Sequence, residues 1–101
     1  IIVGKGGLKI DNNVLIGAGC KIITSSHNFE NLDTPIINQG LSFKKIQIEE
    51  NVWFGFDVKV LGDVKISSGT VCSTSSVVLS GEYPKNVILG GIPAKIIKVR
   101  K

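Results

Sequence analysis

Counted in steps of six from Ile48, the chain reads Ile48, Phe54, Val60, Ile66, Cys72 and Val78, every one apolar. The fifth position of each hexad reads Val52, Val58, Val64, Thr70 and Ser76, all small or β-branched, which suits an inward side chain on a tightly turning strand. An earlier block keeps the same rule, with Ile10, Ile16 and Ile22 leading and Leu8, Val14 and Cys20 in the fifth place. A helix would repeat its apolar residues at three and four, and an amphipathic strand at every second residue. A sustained six therefore predicts short strands joined by turns, three hexads to a coil, each coil stacking on its neighbours around one apolar column. Gly17, Gly19, Gly55, Gly62 and Gly69 fall near the corners of such coils.

The two blocks are out of step. From Ile22 to Ile48 is 26 residues, four hexads plus two, so something leaves the coil between them. The interval 28–45 carries Asn31, Asp33, Pro35, Asn38 and Gly40, the turn residues of an excursion. A long loop on a rigid scaffold is where function is expected. Near the other end the period stops at about Gly81, where Gly81 to Asn86 reads as a turn and 86–89 as a short strand. The stretch 93–101 reads as a helical turn or an extended tail, and Pro93 followed by Ala94 favours the helix.

Composition narrows the picture. With 43% apolar and 20% charged residues the chain reads as one globular unit over 1–101. It opens at Ile1 in mid-pattern and has no Met, which suggests a piece of something longer. No apolar run approaches the roughly 20 residues of a membrane span. The net charge of +4 is gathered largely in Lys95, Lys98, Arg100 and Lys101, which fits a local phosphate site. A nucleic-acid partner would want a basic stripe interleaved with exposed aromatics, and 6% aromatic content argues against it. Cys20 and Cys72 have neither zinc nor redox spacing, so reduced thiols and a cytoplasmic location are expected.

Three stretches carry a resemblance: Ile22-Ile23-Thr24-Ser25-Ser26-His27-Asn28 before the excursion, Asn51-Val52-Trp53-Phe54-Gly55 after it, and Gly90-Gly91-Ile92-Pro93-Ala94-Lys95 near the end. In that order and spacing the chain resembles the hexapeptide-repeat acetyltransferases of the galactoside, maltose and capsular-polysaccharide type. The resemblance implies an all-β fold: a left-handed parallel β-helix with one protruding loop at 28–45 and a short C-terminal tail. It also implies a homotrimer with each active site between two chains, acetyl-CoA as co-substrate, no metal, and a carbohydrate acceptor. The chain departs from the family at Cys72-Ser73-Thr74-Ser75-Ser76, where Ile-Gly-Ala-Gly-Ser is usual, and at Leu79-Ser80, where a Thr-Lys pair is usual.

His27 is the only histidine and ends the hexad that Ile22 begins, so an inward Ile22 places it on an outward face where the loop departs. A sugar hydroxyl attacks a thioester well only as its proton is removed, and an imidazole can take that proton near neutral pH and return it to the leaving thiolate. Glu30, Asp33 or a backbone carbonyl could orient its ring. Trp53, sixth in its hexad, points out of the coil, as a wall of the site or as packing between subunits. By the resemblance, Phe56, Thr74 and Ser75 face the pantetheine arm of coenzyme A, and Lys95 and Lys98 its phosphates.

Other functions fit less well. The serines at 67, 68, 73, 75 and 76 lack the second histidine and the elbow of a serine nucleophile. A zinc enzyme would need three imidazoles, and the chain has one. A non-catalytic scaffold explains the repeats but not the Ser-Ser-His-Asn, loop and Trp combination. Transfer to an amine of an amino sugar or antibiotic remains the alternative among enzymes.

Overall fold

The computed structural model describes residues 1–101 and shows a left-handed parallel β-helix. Three sheets form its walls. Sheet A stacks β1 (Ile2–Val3), β4 (Lys21–Ile23), β9 (Lys59–Leu61) and β12 (Val77–Val78). Sheet B stacks β2 (Leu8–Ile10), β7 (Ile46–Ile48), β10 (Val64–Ile66) and β13 (Gly81–Tyr83). Sheet C stacks β3 (Leu15–Ile16), β8 (Trp53–Phe54), β11 (Val71–Cys72), β14 (Val87–Gly90) and β15 (Lys95–Val99). The chain visits the walls in the order B, C, A, so residues 18 apart, such as Ile48 and Ile66 or Phe54 and Cys72, lie in register on neighbouring coils.

The periodic positions are the column. Ile48, Phe54, Val60, Ile66, Cys72 and Val78 are all buried, as are the fifth-position residues Val52, Val58 and Val64. Two fifth-position hydroxyls satisfy themselves inside, Thr70 Oγ1 donating to the Pro84 carbonyl at 2.9 Å and Ser76 Oγ to that of Ser73 at 2.5 Å. No buried side-chain polar atom lacks a partner, so the column carries little desolvation cost. Ile10 and Ile16 stack in register on Ile48 and Phe54. They are nevertheless 37% and 41% exposed, because β2 and β3 are the end strands of their sheets.

The excursion is a ribbon. Ile10 pairs with Ile48 and Ile22 with Val60, in each case 38 positions apart instead of 18, so the insertion adds 20 residues. It leaves sheet A as β5 (Ser25–His27), runs through a 3-10 turn at Ile36–Asn38 and returns as β6 (Leu41–Phe43), antiparallel to β5. Its neck is closed by Lys44 N donating to Thr24 O at 2.7 Å. Thr24 is buried, and its hydroxyl donates to Val3 O at 2.7 Å while accepting from Gly6 N at 2.8 Å. A side chain on Gly6 would strike the Thr24 and Lys44 carbonyl oxygens, so only glycine lets the first coil reach this neck.

The helix that Pro93 favours in the sequence is not formed. Residues 91–94 bond instead to sheet A, Val77 N donating to Gly91 O at 3.1 Å and Ala94 N to Val77 O at 2.8 Å. The chain then doubles back as β15, antiparallel to β14, with Lys95 opposite Gly90 and Lys98 opposite Ile88. The physical reason is the open edge of β14: a strand satisfies that row of backbone groups, and a helical turn would not.

Candidate functional site

The three walls give the molecule three corners, and the sequence-predicted residues divide among them. His27 ends β5 on the ribbon, which leaves the corner between sheets A and B, and its side chain is exposed. None of the groups expected to orient its ring does so: the imidazole forms no hydrogen bond or ion pair within the chain, and Glu30 turns back to accept from Phe29 N at 3.1 Å. Side chains alternate across the ribbon, so His27 shares one face with Ser25, Leu41 and Phe43, and Asn28 shares the other with Ser26 and Ser42. Beside the ribbon root lies a groove of about 520 Å³, walled by Ser25, Ser26, Lys44, Leu61, Leu79 and Ser80.

Phe56, Thr74 and Ser75 do come together, at the corner between sheets C and A. Phe56 and Thr74 are 18 residues apart and therefore stacked. Phe56 N donates to Thr74 Oγ1 at 3.2 Å and Ser75 N to Phe56 O at 2.8 Å. Gly55 makes this possible, since a Cβ there would press on the Thr74 backbone and hydroxyl. Lys95, opposite Gly90, lies at the end of sheet C that abuts this corner, whereas Lys98 lies farther along β15; both are exposed. Asp57 adds charge at the same corner. Lys59 and then Lys21, at 3.3 and 3.5 Å, hold its carboxyl below the usual carboxylate range.

Trp53 stands on the outer face of sheet C, 53% exposed, in a row with Leu15, Val71 and Ile88. Within one chain sheet A lies between the corner of Phe56 and Thr74 and the ribbon corner of His27, and Trp53 stands on sheet C. The outer row of sheet B, by contrast, is Lys9, Gln47, Lys65 and Glu82. One wall is thus apolar and another polar, a division that the hexad period does not reveal.

Both cysteines are buried in the column, and Cys20 Sγ donates to Gly55 O at 3.1 Å. Burial, with a smaller push from Cys20, raises the Cys72 thiol from 9.0 to about 12, so it is not a thiolate at neutral pH. The third corner, between sheets B and C, has a concavity of about 460 Å³ with Asp11, Glu49, Glu50 and Lys85 on its walls. It contains none of the predicted residues. No cluster of three or more His, Cys, Asp or Glu side chains could hold a metal, and no helix is long and apolar enough to cross a membrane.

No protein-family model matches the chain. Among curated proteins, the galactoside O-acetyltransferase of Lactococcus lactis is 33% identical over 94% of this chain and 44% of its own length. Among solved structures, a hexapeptide-repeat acetyltransferase of Vibrio cholerae in complex with acetyl-CoA superposes with a TM-score of 0.81 at 33% identity, covering 93% of this chain and 50% of that one. A galactoside acetyltransferase in complex with coenzyme A gives 0.88 at 26% identity over 99% of this chain and 48% of that one. The chain spans about half the length of each of these proteins or less.

Proposed function

Because the chain belongs to the hexapeptide-repeat acetyltransferases, we propose that it carries the catalytic part of an enzyme that moves the acetyl group of acetyl-CoA to a hydroxyl of a sugar or polysaccharide. The observation that carries this reading is the placement of the one imidazole, exposed on a ribbon that leaves the coil beside the groove of Ser25, Lys44 and Leu79. In the reaction His27 takes the hydroxyl proton as the oxygen bonds to the thioester carbonyl carbon. The carbon–sulfur bond then breaks, and the imidazolium returns its proton to the departing thiolate. Donor and acceptor are bound together, with no acetyl-enzyme. The raised, buried thiol of Cys72 supports that choice.

Phe56, Thr74 and Ser75 hold the pantetheine arm along their corner, and Lys95 and Lys98 meet the phosphates. These groups lie at a different corner from His27, so a complete site takes its parts from two chains. The apolar row of Leu15, Trp53, Val71 and Ile88 is the surface on which neighbours pack, and the assembly is a homotrimer. In it Trp53 serves as packing and as a wall of the site at once. The ribbon, running from Ser25 to Phe43, reaches over the neighbour.

An acceptor panel tests the reading with the full-length protein. Free thiol released from acetyl-CoA should rise with sugars or glycans bearing hydroxyls. Release with amino sugars or amine antibiotics only would replace the hydroxyl by an amine. Release with neither class would refute the reading.

A further inference from the structure

The ribbon stands outside the column, its strands are three residues long, and its outer face is solvent. A two-stranded ribbon of this size is marginal by itself. A base carried on it loses rate if it drifts, since misplacement by about 1 Å can cost on the order of 10²-fold. The ribbon therefore needs a local clamp, and one is present on the face opposite His27. Asn28 is half-buried and bonds the returning segment 39–42 through three groups. Its backbone N donates to Gly40 O at 3.0 Å, its side-chain amide donates to Gln39 O at 3.0 Å, and its side-chain carbonyl accepts from the Ser42 hydroxyl. Gln39 extends the clamp outward, its Nε2 donating to Asn31 O at 2.7 Å and Thr34 O at 2.6 Å while its Oε1 accepts from Asn31 N at 3.1 Å.

We propose that Asn28, with Ser42 and Gln39, is a positioning unit that fixes the backbone of His27 from behind without touching the reacting groups. This rests on the reading of His27 as the base. Aspartate at position 28 would keep the acceptor for Ser42 but set a carboxylate against the Gln39 carbonyl. Alanine would remove both side-chain bonds and leave the Asn28 N to Gly40 O bond in place.

Steady-state kinetics of the full-length enzyme separate the possibilities. Asn28→Ala and Asn28→Asp should each lower kcat by about 10- to 100-fold, with the KM for acetyl-CoA within about twofold and the unfolding midpoint of the β-helix unchanged, because both strands lie outside the column. Ser42→Ala should lower kcat, while Ser42→Thr, which keeps the hydroxyl, should restore most of it. Adding Asn28→Ala to His27→Ala should cause no further loss, since the clamp acts only through the imidazole. Wild-type kcat in Asn28→Ala, an effect on KM alone, or an additive loss in the double variant would overturn the inference while leaving the base assignment standing. Full activity in His27→Ala would instead overturn the function proposed above.

Discussion

Phe54 and Trp53 are neighbours in sequence on opposite sides of one wall, and replacing each by alanine should produce different kinds of damage. Phe54 is 1% exposed and stacks between Ile16 and Cys72 in the column. Burying an aromatic side chain of this kind is worth about 1.5–3 kcal/mol in transfer from water. The hole left behind adds a cavity term, since coils stacked above and below cannot collapse into it, which brings Phe54→Ala to roughly 3–5 kcal/mol. A domain of this length has only about 5–15 kcal/mol in total. Trp53 is half exposed in the chain, so Trp53→Ala removes little from the fold of one chain and much from the apolar row proposed to meet a neighbour. Urea unfolding followed by circular dichroism, at several protein concentrations, separates the two. Phe54→Ala should lower stability by the same amount at every concentration. Trp53→Ala should shift the midpoint more at high concentration, where association adds most to the stability of the wild type, and little at concentrations low enough for the wild type to dissociate. A concentration-independent loss for Trp53→Ala equal to that of Phe54→Ala would refute the assignment of these two faces.

Lys95→Glu or Lys98→Glu should raise the KM for acetyl-CoA more than that for the dephospho donor, as read by thiol release; equal effects on both donors would remove these lysines from the phosphate site. Cys72 should resist alkylation at pH 8 in the folded protein and react when it unfolds, and rapid labelling of the native state would place it outside the column. Its raised thiol also fixes a pH dependence: the folded form holds the proton that the unfolded chain gives up above about 9. The corresponding stability is therefore complete below that value and declines as the pH rises toward about 12, which Cys72→Ala should abolish in unfolding measured across this range. Mass spectrometry after acetyl-CoA alone should find no stoichiometric acetyl group on either cysteine.

The column was legible in the sequence because burial acts on single positions at a fixed interval: Ile48, Phe54, Val60 and the positions after them are apolar because they point inward on every coil. The corner of Phe56 and Thr74 came from the resemblance and not from the period, although 18 residues do return the chain to the same corner. What the period could not carry was anything off the coil. The ribbon obeys its own antiparallel register, so the link from Asn28 to Ser42 and Gln39 becomes visible only once β5 and β6 are paired. The return of β15 was hidden because every residue from Lys95 to Val99 is exposed, leaving no alternation to mark a strand. The separation of His27 from Trp53 by a whole wall was equally hidden, because a hexad says that a residue faces outward and not which of three faces it occupies.

The role of His27 as the base is the centre of the account, and single-turnover acetyl transfer by the full-length protein and its His27→Ala variant tests it most directly. With the acceptor found by the panel, the variant should transfer about 10²–10⁴-fold more slowly while binding acetyl-CoA with unchanged affinity by calorimetry. Transfer at the wild-type rate, or a loss explained wholly by weaker donor binding, would contradict it.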